Sequence, residues 1–170
     1  MPKLDFQIAN GRIPTEDTLK RVVLRLLKTN DAVIALTDVY TGGTPWNFVD
    51  AADAKNKMKQ WVGDVPGFYP HAAQHDFEAW LLPYWARIQE LAGSNRQLPS
   101  QHPESVNHGN SPAYVLKDVF RSGSKRRAYS KTRDAEAILR GQDLLVSAAK
   151  CPELKAFLNT ILTLSGGEPL

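Results

Sequence analysis

Asp31-Ala32-Val33-Ile34-Ala35-Leu36-Thr37-Asp38-Val39-Tyr40 decides the fold. Ala32 to Leu36 is an unbroken apolar run that ends at an aspartate, and the turn-rich loop Thr41-Gly42-Gly43-Thr44-Pro45 follows. A short apolar run bounded by turn residues reads as a strand covered on both faces, as strands of parallel sheets are. Upstream, Leu19, Val22, Val23, Leu26 and Leu27 recur at helical spacing. Thr15 is placed to cap this helix, Glu16 and Asp17 complement its dipole, and it stops near Asn30. Before the helix, Leu4-Asp5-Phe6-Gln7-Ile8-Ala9 alternates apolar and polar residues and predicts a strand closed by Asn10-Gly11. The expected unit is strand–helix–strand with parallel strands, because a helix carries the chain back across the sheet.

Downstream, a helix is predicted from Asp50 to Val62, burying Ala51, Ala54, Met58 and Trp61. Phe68 to Ala73 predicts a third strand, with Pro70 marking an edge or a strand start. From Asp76, the spacing of Phe77, Leu81, Tyr84, Ile88 and Leu91 is helical, and Pro83 must kink that helix or begin a second one. Residues 93–110 are polar and predict a long loop. Ser111-Pro112 is a strong helix start, ending near Phe120. Ala135, Ile138, Leu139, Gln142, Leu145, Val146 and Ala149 predict one long helix. Pro152 opens the last, with Leu154, Phe157, Leu158, Ile161 and Leu162 inward. The expected fold class is α/β, a small parallel sheet with flanking helices followed by a helical C-terminal portion, in a single domain over 1–170 with a frayed tail at 165–170.

Composition narrows the function classes. The 170 residues are 42% apolar and 23% charged, as in an ordinary globular protein. No apolar run approaches the ~20 residues of a membrane span, and the N-terminus lacks a secretory segment. Cys151 is the single cysteine, so no internal disulfide can form. The expected location is the cytoplasm, with no membrane partner. The net charge is +3, but Arg121 to Arg133 encloses Lys125, Arg126, Arg127 and Lys131 without one acidic residue. Such a segment reads either as a phosphate-contacting patch or as a solvated loop.

Ligands of parallel sheets gather at the carboxyl ends of strands. That rule selects Thr37-Asp38-Val39-Tyr40 and Gln74-His75-Asp76-Phe77-Glu78. Asp38 reads as an oxygen ligand for a hard divalent cation or as an aspartate bonding its own turn. Glu78 lies near a helix start, where its charge is favoured, and Asp76 is placed to cap that helix. His75 can donate to a phosphate or act as a general acid, or serve structurally. His71 and His75 on one strand stand about 13 Å apart at 3.3 Å per residue, too far to share zinc. Cys151 before Pro152 reads as a buried structural thiol in preference to a reactive one, and Trp61, Trp80 and Trp85 as core or interface. The phosphate loop, the dinucleotide glycine fingerprint and the nucleophile elbow are absent.

The Asp31–Tyr40 block with its glycine loop resembles a strand ending in Asp-Tyr-Tyr-Gly. Gln74-His75-Asp76-Phe77-Glu78-Ala79-Trp80-Leu81-Leu82 resembles a second signature, Gln-x-His-Glu-Phe-Glu-Ala-Leu-Leu. With Ser111-Pro112-Ala113, Tyr129-Ser130-Lys131 and Cys151-Pro152, these motifs resemble the bacterial domain-of-unknown-function family 4276, grouped with TOPRIM-like proteins, over roughly residues 5–164. The resemblance implies a TOPRIM-like fold in which strand-end carboxylates hold Mg²⁺ (or Mn²⁺) for phosphodiester chemistry. It implies nuclease-type effectors of prokaryotic antiviral defence working beside an ATPase partner. Asp38 matches the metal-binding aspartate, Glu78 the acid of the second signature, and Lys131 a C-terminal lysine suited to phosphate.

The chain starts at what would be the second strand of such a domain, without the Glu-Gly motif of the first, and Tyr40 stands where the second aspartate of Asp-x-Asp is usual. The leading expectation is a Mg²⁺-dependent nuclease-type effector. Asp38 and Glu78 hold metal, His75 assists catalysis, and Lys125, Arg126, Arg127, Lys131 and Arg133 hold nucleic acid. The alternative is a degenerate TOPRIM-like module that binds nucleic acid or a partner without cleavage.

Overall fold

The computed structural model describes residues 3–7, 13–39, 48–105 and 110–170. In chain order its regular elements are α1 (Glu16–Leu26), β1 (Val33–Asp38), α2 (Ala51–Val62) and β2 (Phe68–Ala73), then a 3₁₀ helix (Phe77–Tyr84), α3 (Trp85–Ala92) and a short 3₁₀ turn (Pro103–Ser105). After these come α4 (Pro112–Ser122), α5 (Lys131–Leu139), α6 (Leu144–Ala148) and α7 (Pro152–Leu164). The class is α/β, with a small parallel sheet and several helices. Among the described residues no helix is long and apolar enough to cross a membrane.

Internal contacts divide the chain into two compact units, Met1–Ala73 with Lys155–Leu170, and Gln74–Leu154. In the first unit, β1 and β2 form a two-stranded parallel sheet in register from Val33 opposite Phe68 to Asp38 opposite Ala73. The strand–helix–strand unit is therefore β1–α2–β2, one element later than the pattern of residues 4–36 predicts. Residues 3–7 carry no strand, and Leu4 and Phe6 are largely exposed, so their alternation has no buried face to serve. Ile8 and Ala9, the rest of that predicted strand, lie outside the described residues.

In β1, Ala35 and Thr37 are buried while Leu36, on the opposite face, is 41% exposed. The strand is thus covered chiefly on one face, which a two-stranded sheet permits and a larger parallel sheet does not. Pro70 sits mid-strand opposite Ala35. In a sheet with two strands both are edges, so its missing N–H interrupts no inner ladder. Asp50 caps α2 by accepting from the Asp53 amide at 2.7 Å. Ala51, Ala54, Met58 and Val62 form the buried stripe of α2, packing with Leu19 and Val23 of α1, Ala35 and Ala72 in two small cores. His71 extends this packing to the C-terminal residues. Its Nε2 lies 2.9 Å from Thr160 Oγ1, and its ring meets Phe157 edge-on at 5.5 Å.

The second unit is helical. Pro83 lies in the 3₁₀ helix, and α3 starts at Trp85, so the predicted helix from Asp76 is two elements. Leu81, Leu82, Trp85, Ile88, Leu116, Val119, Phe120 and Ile138 form one core. The long helix expected through Ala149 is also two, α5 and α6. Arg140 turns extended after Leu139 and Gly141 takes φ +73°, a conformation only glycine adopts at little cost. Cys151 is fully buried, its thiol 3.9 Å from the Ala79 carbonyl, and burial pushes its pKa up to about 12. It is an inert structural thiol.

Candidate functional site

Asp38 ends β1 half-buried, opposite Ala73 in the register, and the next amide, Val39, donates to the Ala73 carbonyl at 3.1 Å. The aspartate therefore stands at the carboxyl end of the sheet, in the first unit. Residues 40–47, which follow it in the chain, lie outside the described residues.

The second signature opens the second unit, and its polar side chains turn inward. His75 takes φ +68°, a left-handed conformation uncommon outside glycine that histidine adopts more readily than most residues. It is buried, and that burial lowers its pKa against the opposing hydrogen bond to the Glu104 backbone. The ring is then neutral at pH 7, which suits a hydrogen-bonding role more than a cationic one. Asp76 does not cap the helix it precedes. Its carboxylate accepts instead from the Ala113 amide at 3.1 and 3.2 Å, capping the first turn of α4 beside Ser111, whose Oγ accepts from Tyr114.

Glu78 is 0% exposed. The Lys131 ammonium, at the start of α5, lies 3.4 Å from its Oε2 and also 5.1 Å from the Phe77 ring centre. Tyr129 is buried beside them. Burial first, then the negative charges of Glu78 and Asp134, hold its hydroxyl well above the usual phenol range, so it is neutral at every physiological pH. Glu78 and Lys131, matched separately from the motifs, are thus one buried pair with a half-exposed cationic end.

The basic segment has an equally definite architecture. Asp134, 1% exposed, accepts from both oxygens' side: Arg127 at 2.9 and 2.8 Å, Arg133 at 3.0 and 3.3 Å, and the Ser130 amide at 2.7 Å. Burial raises its pKa, but the two guanidinium groups and the amide outweigh that and bring it down to about 2. Arg127 also stacks on Phe120, 4.5 Å from the ring centre. Lys125 donates to the Glu90 carbonyl at 3.0 Å, near the end of α3. Arg126 is exposed, at φ +40°.

The structure thus brings Glu78 to Lys131, and Arg127 to Arg133, within the second unit, while Asp38 belongs to the first. Sequence reasoning missed Asp134 and Glu104. Asp134 was legible only as the acid immediately after Arg133. Glu104 is a buried carboxylate accepting from Trp80 Nε1 at 3.1 Å and from the Glu153 amide at 3.2 Å, with nothing in its polar surroundings to announce it.

Magnesium chemistry on phosphodiesters needs several carboxylates around ions ~4 Å apart. Among the described residues no three Asp, Glu, His or Cys side chains gather to hold an ion. Outside them the sequence adds only His108 to that set. Glu78, moreover, already faces an ammonium. Within either unit, the donors among the described residues do not fit a two-ion centre.

The model of a family described as a domain of unknown function (DUF4276) matches residues 4–162. The chain belongs to the DUF4276 family. The matched span contains Asp38, the Glu78–Lys131 pair and the basic segment alike. No protein of curated function and no solved structure matches this DUF4276 chain.

Proposed function

We propose that this chain is a TOPRIM-like module that binds nucleic acid, in a prokaryotic antiviral or nucleic-acid-processing complex with an ATPase partner, without a cleavage centre of its own. One observation carries the reading: buried Asp134 accepts from the Ser130 amide, Arg127 and Arg133, fixing the backbone and two guanidinium groups of the segment that also carries Lys125, Arg126 and Lys131. A cation held in place loses less freedom on meeting a phosphate than one on a mobile loop. The carboxylates that face these cations, Asp134 and Glu78, are buried, so a phosphate meets the cations first.

The test is fluorescence anisotropy of a labelled oligonucleotide, single-stranded DNA and RNA in parallel, across a salt series. Affinity should fall steeply with salt, and Lys125→Ala with Arg126→Ala should reduce the log–log slope by about 1 to 2. Absence of binding at low salt, or an unchanged slope, overturns the proposal.

Asp38 favours a second reading, the Mg²⁺-dependent nuclease-type effector. A strand-end carboxylate in a parallel sheet is where ligands of such folds bind, and a partner chain would supply the further carboxylates. In that case the assembled complex cleaves with Mg²⁺ or Mn²⁺, and Asp38→Ala abolishes cleavage while circular dichroism and unfolding midpoint stay put. Equal cleavage by both proteins removes this reading.

A further inference from the structure

The second unit contains a cavity of about 410 Å³, within the range of small-molecule sites. It shares no lining residue with the basic segment. Leu82, Pro83, Leu98 and Pro103 give it apolar walls, and His102 and Lys150 are its titratable lining. Among the described residues no acidic side chain lines it. Leu98 is 46% exposed in an otherwise polar loop, an apolar side chain presented to the cavity and not to the core.

The part of the wall formed by residues 98–102, which carries no helix or strand, is held in shape. At one end of the loop, the Arg96 carbonyl accepts from Trp85 Nε1 and from Gln89 Nε2, each at 2.8 Å. At the other, buried Glu104 accepts from Trp80 Nε1 and from the first-turn amide of α7. Pro99 and Pro103 fix φ between those anchors. A loop fastened at both ends and stiffened between them surrenders little conformational freedom to a ligand.

We propose that this cavity binds a small amphipathic carboxylate, its hydrocarbon body against Leu82, Leu98 and the prolines and its anionic head on Lys150 and His102. Apolar walls reject a fully hydrated anion, and a cationic lining without acids favours a negative head over a neutral one.

Octanoate is the probe, titrated into the full chain and followed by ¹H–¹⁵N and histidine ¹³C spectra. Saturable shifts at Leu98, His102 and Lys150 are expected below about 1 mM. Octan-1-ol, with the body and no charge, and citrate, with charge and no body, should each bind at least about tenfold more weakly. Lys150→Gln should weaken octanoate by about tenfold, and Leu98→Asp should abolish binding. Both positions are exposed, so neither change threatens the core, and an unchanged unfolding midpoint verifies this. The absence of saturable shifts, an equal affinity for octan-1-ol, or full affinity in Lys150→Gln overturns the proposal. Nucleic-acid binding by these variants should be unchanged.

Discussion

Asp134 shows how much one carboxylate can organise. It sits in the first turn of α5, buried, and gathers two arginines and the Ser130 amide. A group whose native pKa lies below its unfolded value binds fewer protons in the native state. Its stabilisation is therefore complete above the unfolded value of 3.8 and is lost as pH falls through the native value of about 2. That shift corresponds to about 2 kcal/mol. Asp134→Asn should cost about that much at pH 7 in urea unfolding, and the gap to the wild type should close as pH approaches 2. Carboxyl NMR places the titration directly, and a native pKa at or above the unfolded value refutes the account. Glu78 is the contrasting case. Its charge and its place near a helix start were legible, but its partner Lys131 was not, because the pair joins motifs far apart in the chain. Motif spacing orders residues along a sequence and says nothing of which of them meet.

At the scale of elements, local chemistry was legible wherever one segment determines its own structure. Ser111-Pro112 starts α4, as that pair dictates, and Asp50 to Val62 is the helix its apolar spacing describes. What could not be read is capping from elsewhere. Asp76 lies before the 3₁₀ helix, yet its carboxylate satisfies an amide of α4. Two side chains therefore share the unbonded N–H groups of that first turn, where Pro112 carries none, and they differ in burial. Ser111 exchanges its hydrogen bond with water readily. Asp76 is 4% exposed, and no water replaces it at an amide buried with it. Asp76→Ala should cost about 2 kcal/mol and Ser111→Ala about 0.5–1 kcal/mol in equilibrium unfolding. Equal losses would mean that Asp76 does not serve as the cap. Helix division follows the same logic. Apolar spacing runs on through Arg140-Gly141-Gln142, and only the backbone reversal at Gly141 separates α5 from α6, leaving Leu144, Leu145 and Val146 exposed.

For the whole molecule, the parallel strand–helix–strand pattern was legible as a class and misplaced by one element. An alternating run such as Leu4 to Gln7 forms a strand only where a sheet edge receives it, and no local pattern reveals that edge. The surface charge was still less legible. The sequence counts 21 basic against 18 acidic residues, but Asp76, Glu78, Glu104 and Asp134 of the second unit are all buried. The groups that an incoming phosphate can touch are more basic than the composition implies. Those cations divide into two kinds. Arg127 is bound to Asp134 and stacked on Phe120, so it belongs to folding as well as to the surface. Lys125 and Arg126 reach no buried acid. Arg127→Ala should therefore lower both oligonucleotide affinity and the free energy of unfolding, the latter by about 1–3 kcal/mol. Lys125→Glu with Arg126→Glu should lower affinity more than tenfold at low salt and leave the midpoint unchanged. If the two losses run together in both variants, the basic segment acts on stability alone, and the surface it presents is not the one that binds nucleic acid.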